Sequence, residues 1–326
     1  MRTIRWGILG TGFIAGTFAQ GLKAVEGAEL AAVASRSAPK AEEFARRFGA
    51  RRACGIYDAL YEDPQVDAVY VATPHSEHCE EVLRCIRAGK AVLCEKPLAP
   101  TAAQAQEMIA AARGAGVFLM EAMWTRFLPA VRRAARWVEE GRIGEPLQLS
   151  ASFCVRAEFD PHSRLFDPAL AGGALLDVGV YPLHLAALFF GARPEHAAGV
   201  AALGPTGVDV QGAAALSYPS GALAALRFAL RAAAGEDAVL TGAEGELRLP
   251  FFYRAEHAEL WKDGALLTRF DTPFDKNGYE YEARHVGDCL RQGLLESPLM
   301  PLADTLDILR TADALRAGWG QRYPFE

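Results

Sequence analysis

Short apolar runs alternate with amphipathic stretches along the first part of the chain. The runs have the length of buried strands, and the stretches between them have the spacing of helices. This alternation predicts a doubly wound parallel sheet, with helix ends at Gly49, Gly89 and Gly114. The apolar runs fall at residues 5–9, 29–35, 68–72, 91–94 and 117–120, and the helical stretches fall at 17–25, 39–48, 76–88 and 101–113.

The pattern changes after about Glu121, where strand-like runs follow one another without intervening helices. The turn sequences at residues 219–221 (Pro-Ser-Gly) and 262–264 (Lys-Asp-Gly) favour antiparallel pairing. We therefore expect an α/β chain in which residues 1–122 form a domain with a parallel sheet and residues 123–326 form an α+β domain with a large, mainly antiparallel sheet. The strand-like runs lie at 147–155, 207–218, 222–230, 238–249, 258–261 and 266–270, and closing helices at 279–292 and 303–321 could pack back on the first domain.

A glycine-rich turn joins the first apolar run to the first helix. Gly10, Gly12 and Ala15 have the spacing G-x-G-x-x-A, and Phe13 and Ile14 complete the turn. Gly10 would allow a tight turn, Gly12 would let the backbone approach a pyrophosphate, and Ala15 would permit close packing of the helix. Phosphates would then sit at the helix N-terminus. The sequence therefore predicts a Rossmann-type dinucleotide-binding domain.

The second apolar run ends in Ser35, Arg36 and Ser37. No Asp or Glu stands where an NAD enzyme would hold its ribose hydroxyl. An arginine suits the 2'-phosphate of NADP, to which both serines could donate hydrogen bonds. We therefore predict NADP as the cofactor, with NAD as a second option. The alternative is a surface arginine that caps the loop.

A candidate catalytic lysine follows the fourth apolar run, in the sequence Glu95, Lys96, Pro97 and Leu98. Ligands of such sheets collect beyond the carboxyl ends of the strands, so Lys96 is expected to point into that crevice. The alternative is a solvated surface lysine, the usual state of this residue type.

Composition and charge exclude several classes of protein. The chain has 326 residues, of which 51% are hydrophobic, and a net charge of −6 gives no basic surface for nucleic acid. Apolar stretches such as residues 183–190 are too short to span a membrane, and the N-terminus shows no signal peptide. We therefore expect a cytoplasmic enzyme that acts on a small molecule.

Cysteine and histidine spacing indicates neither disulfides nor a metal. The six cysteines include no C-x-x-C pair, and they are expected to be small buried residues in a reducing compartment. His75 and His78 lack further ligands at metal-binding spacing. No metal is therefore predicted.

Four motifs together resemble the glucose-fructose oxidoreductase, inositol dehydrogenase and rhizopine-catabolism superfamily. They lie at residues 10–15, 72–78, 95–97 and 172–177. The sequences at 120–127, 177–181 and 296–301 are similar to the branch that contains dimeric dihydrodiol dehydrogenases and NADP-dependent D-xylose dehydrogenases. The resemblance implies a Rossmann domain joined to an open-sheet domain, and a homodimer formed through that sheet.

The resemblance also assigns roles to residues. Thr73, Pro74 and His78 would line the nicotinamide side of the site, and Trp124, Arg126 and Phe153 would border the substrate. For an isolated Trp124 or Phe153, a place in the core is the usual alternative. The full cofactor set would comprise Gly10, Gly12, Phe13, Ile14, Ala15, Ser35, Arg36, Thr73, Pro74, His78, Glu95 and Lys96.

Tyr181 is the candidate proton carrier. Many superfamily members have histidine at this position, whereas the dihydrodiol branch shares the tyrosine. Asp177 lies four residues earlier and would share its face on a continuous helix, although Pro182 disturbs that expectation. His184 is at least as well explained by a place at the edge of the core.

The chemistry gives these residues distinct roles. A free tyrosine with a pKa near ~10 is a poor base, but a nearby ammonium such as Lys96 would favour the phenolate. Tyr181 would then act as base in oxidation and as acid in reduction, and Asp177 would hold substrate hydroxyls or orient the pair.

We therefore predict an NADP-dependent oxidoreductase for an aldose (xylose-like), a cyclic polyol or a trans-dihydrodiol. The alternatives are a non-catalytic regulatory protein of the same superfamily and a relative that cleaves glycosides by redox chemistry.

Overall fold

Two units, each with its own sheet, make up the protein. The computed structural model describes residues 2–233 and 235–326. The first unit contains the stretch that ends at Ala99, together with Ala103–Trp124 and Phe274–Leu302. The second contains Pro100–Ala102, Thr125–Pro273 and Ala303–Glu326.

Within the described residues, the sheet of the first unit has six parallel strands in the order β3-β2-β1-β4-β5-β6. This is the doubly wound order. The strand order reverses between β1 and β4, which is the topological switch point at which such sheets bind ligands. The strands are β1 Ile4–Leu9, β2 Ala28–Ala34, β3 Arg52–Cys54, β4 Ala68–Val71, β5 Ala91–Glu95 and β6 Leu119–Ala122. The helices between them are α1 Phe13–Leu22, α2 Ala38–Phe48, α3 Asp58–Tyr61, α4 His78–Arg87 and α5 Ala102–Ala115, with a 3-10 turn at His75–Glu77.

Stacked aromatic rings join α1 to this sheet. Phe18 lies with its ring centroid 3.8 Å from that of Tyr70 on β4, and Trp6 on β1 meets Phe18 edge-on at 5.3 Å. All three side chains are fully buried. Aromatic side chains bury large apolar areas, so this contact fixes α1, and with it the glycine turn, on the sheet.

The second unit holds, within the described residues, an eight-stranded sheet in the order β14-β13-β12-β11-β7-β10-β9-β8. Neighbouring strands are antiparallel except for β7 and β10, which pair in parallel. Its elements in chain order are α6 Pro129–Glu139, β7 Pro146–Cys154, α7 Val180–Phe190, β8 His196–Leu203, β9 Asp209–Ser217, β10 Leu223–Ala229, β11 Ala238–Gly242, β12 Glu246–Leu249, β13 His257–Lys262 and β14 Ala265–Asp271.

Helices cover one face of this sheet. Helix α7 and the π-helix Leu175–Gly179 before it pack on β7 and β10, and α6 packs on β12, β13 and β14. Two further helices close the chain. Helix α8 Tyr279–Arg291 belongs to the first unit and packs on α1, and α9 Leu302–Gly318 lies almost entirely in the second.

The predicted fold class is confirmed, but several element predictions were wrong. Helices α6 and α7 interrupt the supposedly helix-free second part. Helix α7 has apolar residues all round, so it shows no amphipathic period, whereas α6 does have an apolar face and a proline in its first turn.

Strand β8 was missed because alanine and glycine dominate it, and residues 238–249 form two strands rather than one. Helix α5 passes Gly114 and ends before Gly116, which has φ +65°.

One stretch is longer and more apolar than the sequence reading allowed. Pro168–Phe190 has a mean hydropathy of 1.6 and is long enough to cross a membrane by length and composition. However, 83% of its most apolar window is buried inside the protein. Such burial is typical of a core helix, so the stretch is weak evidence for a membrane span.

Candidate active site

The glycine turn after β1 leaves an open cradle at the N-terminus of α1. Gly10 has φ +99°, and a Cβ atom there would lie 2.6 Å from the carbonyl oxygen of Ala72. Gly12, the N-cap, would place a Cβ with no atom of the described chain within 4 Å. The first turn of α1 contains no acidic residue, and no side chain caps it. These features fit a pyrophosphate, because free backbone N–H groups at a helix start attract anions.

The remaining residues of the turn divide between core and surface. Ala15 is fully buried, whereas Phe13 is 89% exposed and Ile14 is half-buried. The close helix packing expected of Ala15 is also provided by Gly16, where a Cβ would lie 2.9 Å from the Phe48 ring of α2. Gly16 therefore limits the distance between α1 and α2.

Arg36, just after β2, forms an ion pair that the sequence did not predict. Its Nη1 lies 2.9 Å from Oε1 of Glu77, although the guanidinium side chain is 71% exposed. Ser35 is buried, and its hydroxyl accepts a hydrogen bond from the backbone N–H of Ser37 at 3.3 Å. Glu77 thus orients Arg36, which remains accessible to a solvent-side ligand such as a phosphate.

His78 joins the loops that follow β4 and β5. The ring is fully buried, with Nδ1 2.9 Å from the carbonyl oxygen of Pro97 and Nε2 3.0 Å from that of Thr73. Burial lowers the pKa of His78, while hydrogen bonds to these two carbonyls oppose that effect. Both ring nitrogens face backbone, so the geometry suits a residue that positions the two loops. The predicted direct contact of His78 with the cofactor stays a prediction.

Thr73 and Pro74 lie in the loop that follows β4, which ends at Val71. The Thr73 hydroxyl is buried and has no hydrogen-bond partner in residues 2–233 and 235–326. A buried hydroxyl without a partner costs free energy, so it is suited to a ligand that supplies one. This observation fits the predicted nicotinamide side of the site.

Two buried carboxylates hold the loop that carries Lys96. Glu95 accepts a hydrogen bond from the Tyr70 hydroxyl and another from the backbone N–H of Lys96 at 3.1 Å. Glu121 on β6, which sequence reasoning missed, accepts one from the N–H of Leu98 at 3.0 Å. Lys96 itself is half-buried. Glu95 therefore supports the loop, and its predicted contact with the cofactor stays untested.

Tyr181 lies in an aromatic cluster of the second unit. Its ring meets Phe153 of β7 edge-on, with centroids 5.1 Å apart, and Tyr253 at 6.1 Å. Phe153 and Tyr253 stack on each other at 4.1 Å. The structure thus brings the predicted residues Tyr181 and Phe153 together and adds Tyr253, which no sequence motif marked.

Asp177 lies in the π-helix that precedes α7. Its Oδ1 is 2.7 Å from Nη1 of Arg164, a residue absent from the sequence prediction. The continuous α-helix on which Asp177 and Tyr181 would share a face is not formed, because the π-helix Leu175–Gly179 changes the hydrogen-bond register between them. Pro182 falls in the first turn of α7, where a missing N–H is least costly.

The other predicted substrate residues have well-defined partners. Trp124 stacks on Tyr279 of α8 at 4.6 Å, and both belong to the first unit. Arg126 is buried and pairs with Asp304 of α9 at 3.0 Å within the second unit. His184 is buried in α7. Contact of Trp124, Arg126 and Phe153 with a substrate stays a prediction.

The cradle at α1, the doubly wound sheet and the polar loops after β4 and β5 are those of a dinucleotide-dependent oxidoreductase. Residues 4–123 match a family described as "Oxidoreductase family, NAD-binding Rossmann fold", and residues 131–248 match "GFO/IDH/MocA C-terminal domain". The chain belongs to the GFO/IDH/MocA oxidoreductase family. The predicted superfamily is thereby confirmed, as is the prediction of an NAD(P)-dependent dehydrogenase or reductase.

Known relatives match over almost the whole chain. The trans-1,2-dihydrobenzene-1,2-diol dehydrogenase of Mus musculus is 36% identical over 337 residues, which cover 98% of each protein. A 3-ketoreductase from Actinomadura kijaniata, solved with NADP and TDP-benzene, is 32% identical with a TM-score of 0.88 and 98% coverage of both chains. An aldose-aldose oxidoreductase from Caulobacter crescentus, solved with glycerol, is 28% identical with a TM-score of 0.89 and 97% coverage of both.

Proposed function

We propose that this protein is an NADP-dependent oxidoreductase that transfers a hydride between the nicotinamide and a secondary alcohol or hemiacetal. Its substrate would be an aldose such as xylose, a cyclic polyol or a trans-dihydrodiol. The observation that carries the proposal is Tyr181, an acid-base side chain set among aromatic rings, in a chain whose first domain binds a dinucleotide. The dihydrodiol dehydrogenases and the aldose oxidoreductase among its relatives support this choice.

NADP is preferred to NAD because of the residues after β2. Arg36 and Ser37 stand where an NAD enzyme would carry an acidic residue, and a carboxylate there would repel the 2'-phosphate. Glu77 neutralises part of the Arg36 charge, but the Arg36 side chain is 71% exposed, against 26% for Glu77. A phosphate can therefore approach the exposed side of the Arg36 guanidinium. The relative from Actinomadura kijaniata that was solved with NADP supports the assignment.

The chain's own residues would move the proton. The nicotinamide accepts or supplies the hydride when it is bound. The Tyr181 hydroxyl would accept the proton of the substrate alcohol during oxidation and return it during reduction. The ammonium of Lys96 would favour the phenolate, and Asp177, held by Arg164, would bind a neighbouring substrate hydroxyl.

The aromatic cluster favours a ring-shaped substrate. Phe153 and Tyr253 stack on each other beside Tyr181, and flat rings pack well against the apolar face of a six-membered ring. The carboxylate of Asp177 suits adjacent hydroxyl groups. A ring with vicinal hydroxyls satisfies both features, and a pyranose and a dihydrodiol share that chemistry.

A spectrophotometric screen tests the proposal. Purified protein is incubated with NADP or NAD and a panel of aldoses, cyclic polyols and trans-dihydrodiols, and absorbance of the reduced cofactor is followed. We expect NADPH formation with at least one ring-shaped vicinal diol, and a higher kcat/KM with NADP than with NAD. Conversion without net NADPH would instead identify the glycoside-cleaving alternative, and failure of every compound would contradict the proposal.

We further propose a cytoplasmic homodimer that pairs through the second sheet. All six cysteines are buried and form no disulfide among the described residues, which suits a reducing compartment. On β10, Leu223, Ala225 and Arg227 are exposed while the residues between them are buried, so one face of the sheet is open. A second copy of the chain could cover that face.

A further inference from the structure

Three arginines of α6 surround a cavity in the second unit. Arg132, Arg133 and Arg136 line a space of about 340 Å³ together with Pro129, Glu139 and Phe270 of β14. We call this space the α6 arginine pocket. Arg132 and Arg136 are four residues apart and therefore lie on the same side of the helix. The pocket is formed only by residues of the second unit, so it is distinct in composition from the cradle at α1.

Three arginines and one glutamate line the α6 arginine pocket, so positive charge is in excess there. None of its three arginines has an ion pair or a side-chain hydrogen bond to any part of the chain that the structure describes. On the neighbouring strands, by contrast, Arg248 pairs with Glu246 and Arg269 with Glu259. Glu246 and Glu259 are thus paired with other arginines, whereas Glu139, which lines the pocket, forms no ion pair with any described residue.

Arg132 shows the cost of this arrangement. Burial lowers its pKa, Glu139 opposes that effect, and the positive charges of Arg126 and Arg136 lower the pKa further. A half-buried cation that faces other cations is destabilising unless an anion joins it. With three arginines and one glutamate in its lining, the pocket has an excess positive charge that a bound anion would offset.

The ring of Phe270 orients the guanidinium of Arg133, and the N-terminus of α6 adds positive electrostatic potential. Arg133 lies 4.9 Å above the ring of Phe270, and a cation over an aromatic face is attracted to it. Helix α6 begins at Pro129 with no side-chain cap and no acidic residue in its first turn. The positive end of the helix dipole at Pro129, which also lines the pocket, is consequently uncompensated, whereas Arg136 lies in the last turn of the helix.

We propose that the α6 arginine pocket binds the phosphate group of a small phosphorylated molecule. A planar guanidinium group can donate two parallel hydrogen bonds to two oxygens of one phosphate. Three arginines line this cavity, which is more than a single carboxylate would need as partners. Pro129 and Phe270 offer an apolar wall for the organic part of the ligand. The small size of the pocket and the net charge of −6 favour a small molecule over a nucleic acid or an extended acidic peptide. This inference goes beyond the proposed activity and does not depend on it.

Calorimetric titration with inorganic phosphate tests the proposal. The protein is first saturated with NADP, so that the cradle at α1 is filled, and chloride keeps the ionic strength constant. We expect the wild-type protein to bind one phosphate, and Arg136→Gln, an exposed position, to weaken that binding by about tenfold or more. Arg193→Gln is the matched control, since it removes the same charge from an exposed arginine of the same unit without an ion pair, and it should bind phosphate like the wild type.

Thermal unfolding, a second variant and two other ligands exclude alternative explanations of the phosphate titration. Thermal unfolding without phosphate checks that Arg136→Gln is folded, and Arg133→Lys, which keeps the charge, provides a second variant that should weaken binding. Glucose 6-phosphate should bind at least as tightly as phosphate, whereas tighter binding of hexaglutamate would assign the pocket to a peptide and overturn the proposal. Equal phosphate affinity of the wild type, Arg136→Gln and Arg193→Gln would also overturn it, as would no binding to the wild type at millimolar phosphate.

Discussion

Arg36 and Glu77 form the residue pair on which the choice of cofactor depends. Their ion pair keeps the guanidinium near the end of β2, where the ribose of a dinucleotide lies in this fold. Arg36 is mostly exposed while Glu77 is 26% exposed, and a phosphate on the exposed side of the guanidinium would gain a charge-assisted hydrogen bond. Glu77 therefore serves to orient the arginine rather than to block it.

Arg36→Ala should weaken NADP binding much more than NAD binding. A lost charge-assisted hydrogen bond costs about 1.5 to 3 kcal/mol, which corresponds to a Kd for NADP raised by about 10- to 100-fold. The Kd for NAD should change little, because NAD lacks the 2'-phosphate. Fluorescence titration of both cofactors measures this, with Glu77→Gln as a control that keeps the arginine. An equal loss for both cofactors would reject the assignment.

Local motifs explain which site residues the sequence could predict. Gly10, Gly12 and Arg36 act through the backbone or through a fixed distance from a strand end, so a short stretch of sequence reveals them. Arg164 and Tyr253 could not be found in this way, since no motif surrounds either residue and Tyr253 lies far along the chain from Tyr181. Only tertiary packing brings such side chains together.

The turn between β1 and α1 is the element that makes the dinucleotide cradle. Its two glycines serve different purposes, because Gly10 is enclosed by backbone while Gly12 faces open space. A Cβ at Gly10 would collide with Ala72 and require a left-handed conformation, whereas Gly12 has an ordinary φ of −75°.

The two alanine variants of this turn should therefore separate folding from binding. Gly10→Ala is expected to lower the free energy of unfolding by about 1 to 3 kcal/mol because of the strained backbone. Gly12→Ala should leave the melting temperature nearly unchanged, but the new methyl group would occupy the approach of the phosphates and weaken NADP binding. Thermal unfolding and cofactor titration on both variants check this. Equal melting temperatures, or full cofactor affinity of Gly12→Ala, would contradict it.

A buried carboxylate supports the π-helix that carries Asp177. Asp209 is fully buried, and its Oδ2 accepts a hydrogen bond from the backbone N–H of Leu175 at 2.7 Å. Burial raises the pKa of Asp209 from 3.8 to about 6, while the hydrogen bond from Leu175 opposes the shift. Gly173 is adjacent, and a Cβ there would lie 2.2 Å from Oδ1 of Asp209. The loop before the π-helix is thus fitted closely around this side chain.

Asp209 should make the stability of the protein depend on pH. Its pKa is higher in the folded state, so the protonated form stabilises the fold fully below pH 3.8, and this contribution is lost as the pH rises through about 6. The free energy of unfolding lost in this way amounts to at most about 3 kcal/mol, because the pKa rises from 3.8 to about 6 on folding. Asp209→Asn cannot ionise, so its free energy of unfolding relative to the wild type should rise between pH 4 and pH 7. Denaturant titrations across this range measure the difference, and a constant difference would refute the role of Asp209.

At the scale of the whole molecule, the proposed homodimer depends on the open face of the second sheet. Neighbouring strands place Ala198, Ala215, Ala225 and Ser150 in one row across this face. These small side chains form a flat surface, and Val200 beside them is 73% exposed. A flat, mostly apolar patch of this kind marks a surface suited to another copy of the chain.

Light scattering at micromolar concentration should therefore show a dimer. Ala225→Lys places a charge in the middle of the row, where desolvation would oppose association, and this variant should be monomeric. Ala225→Ser is the matched control and should remain dimeric. A monomeric wild-type protein, or a dimeric Ala225→Lys variant, would exclude this face as the interface.

The second domain was harder to predict from the sequence than the first, because some of its elements lack a regular hydrophobic pattern. The Rossmann domain repeats one strand-helix unit, so its pattern predicted nearly every element. In the second domain, α7 is apolar on all sides and β8 is built largely from alanine and glycine, so neither has the period on which such predictions rest. Its antiparallel strands were nevertheless predicted, because strand-like runs follow one another and turn sequences separate them, and the family resemblance implied the open sheet.

The proposed NADP-dependent oxidoreductase activity depends on Tyr181 as the proton carrier. Tyr181→Phe removes the hydroxyl and keeps the ring that packs against Phe153. The most direct test is the kcat of this variant with NADP and the best substrate of the screen. We predict that kcat falls by about 10² to 10⁴-fold while the Kd for NADP is unchanged, and that His184→Asn keeps near-normal kcat. A near-normal kcat for Tyr181→Phe, together with an inactive but folded His184→Asn, would contradict the account and make histidine the proton carrier.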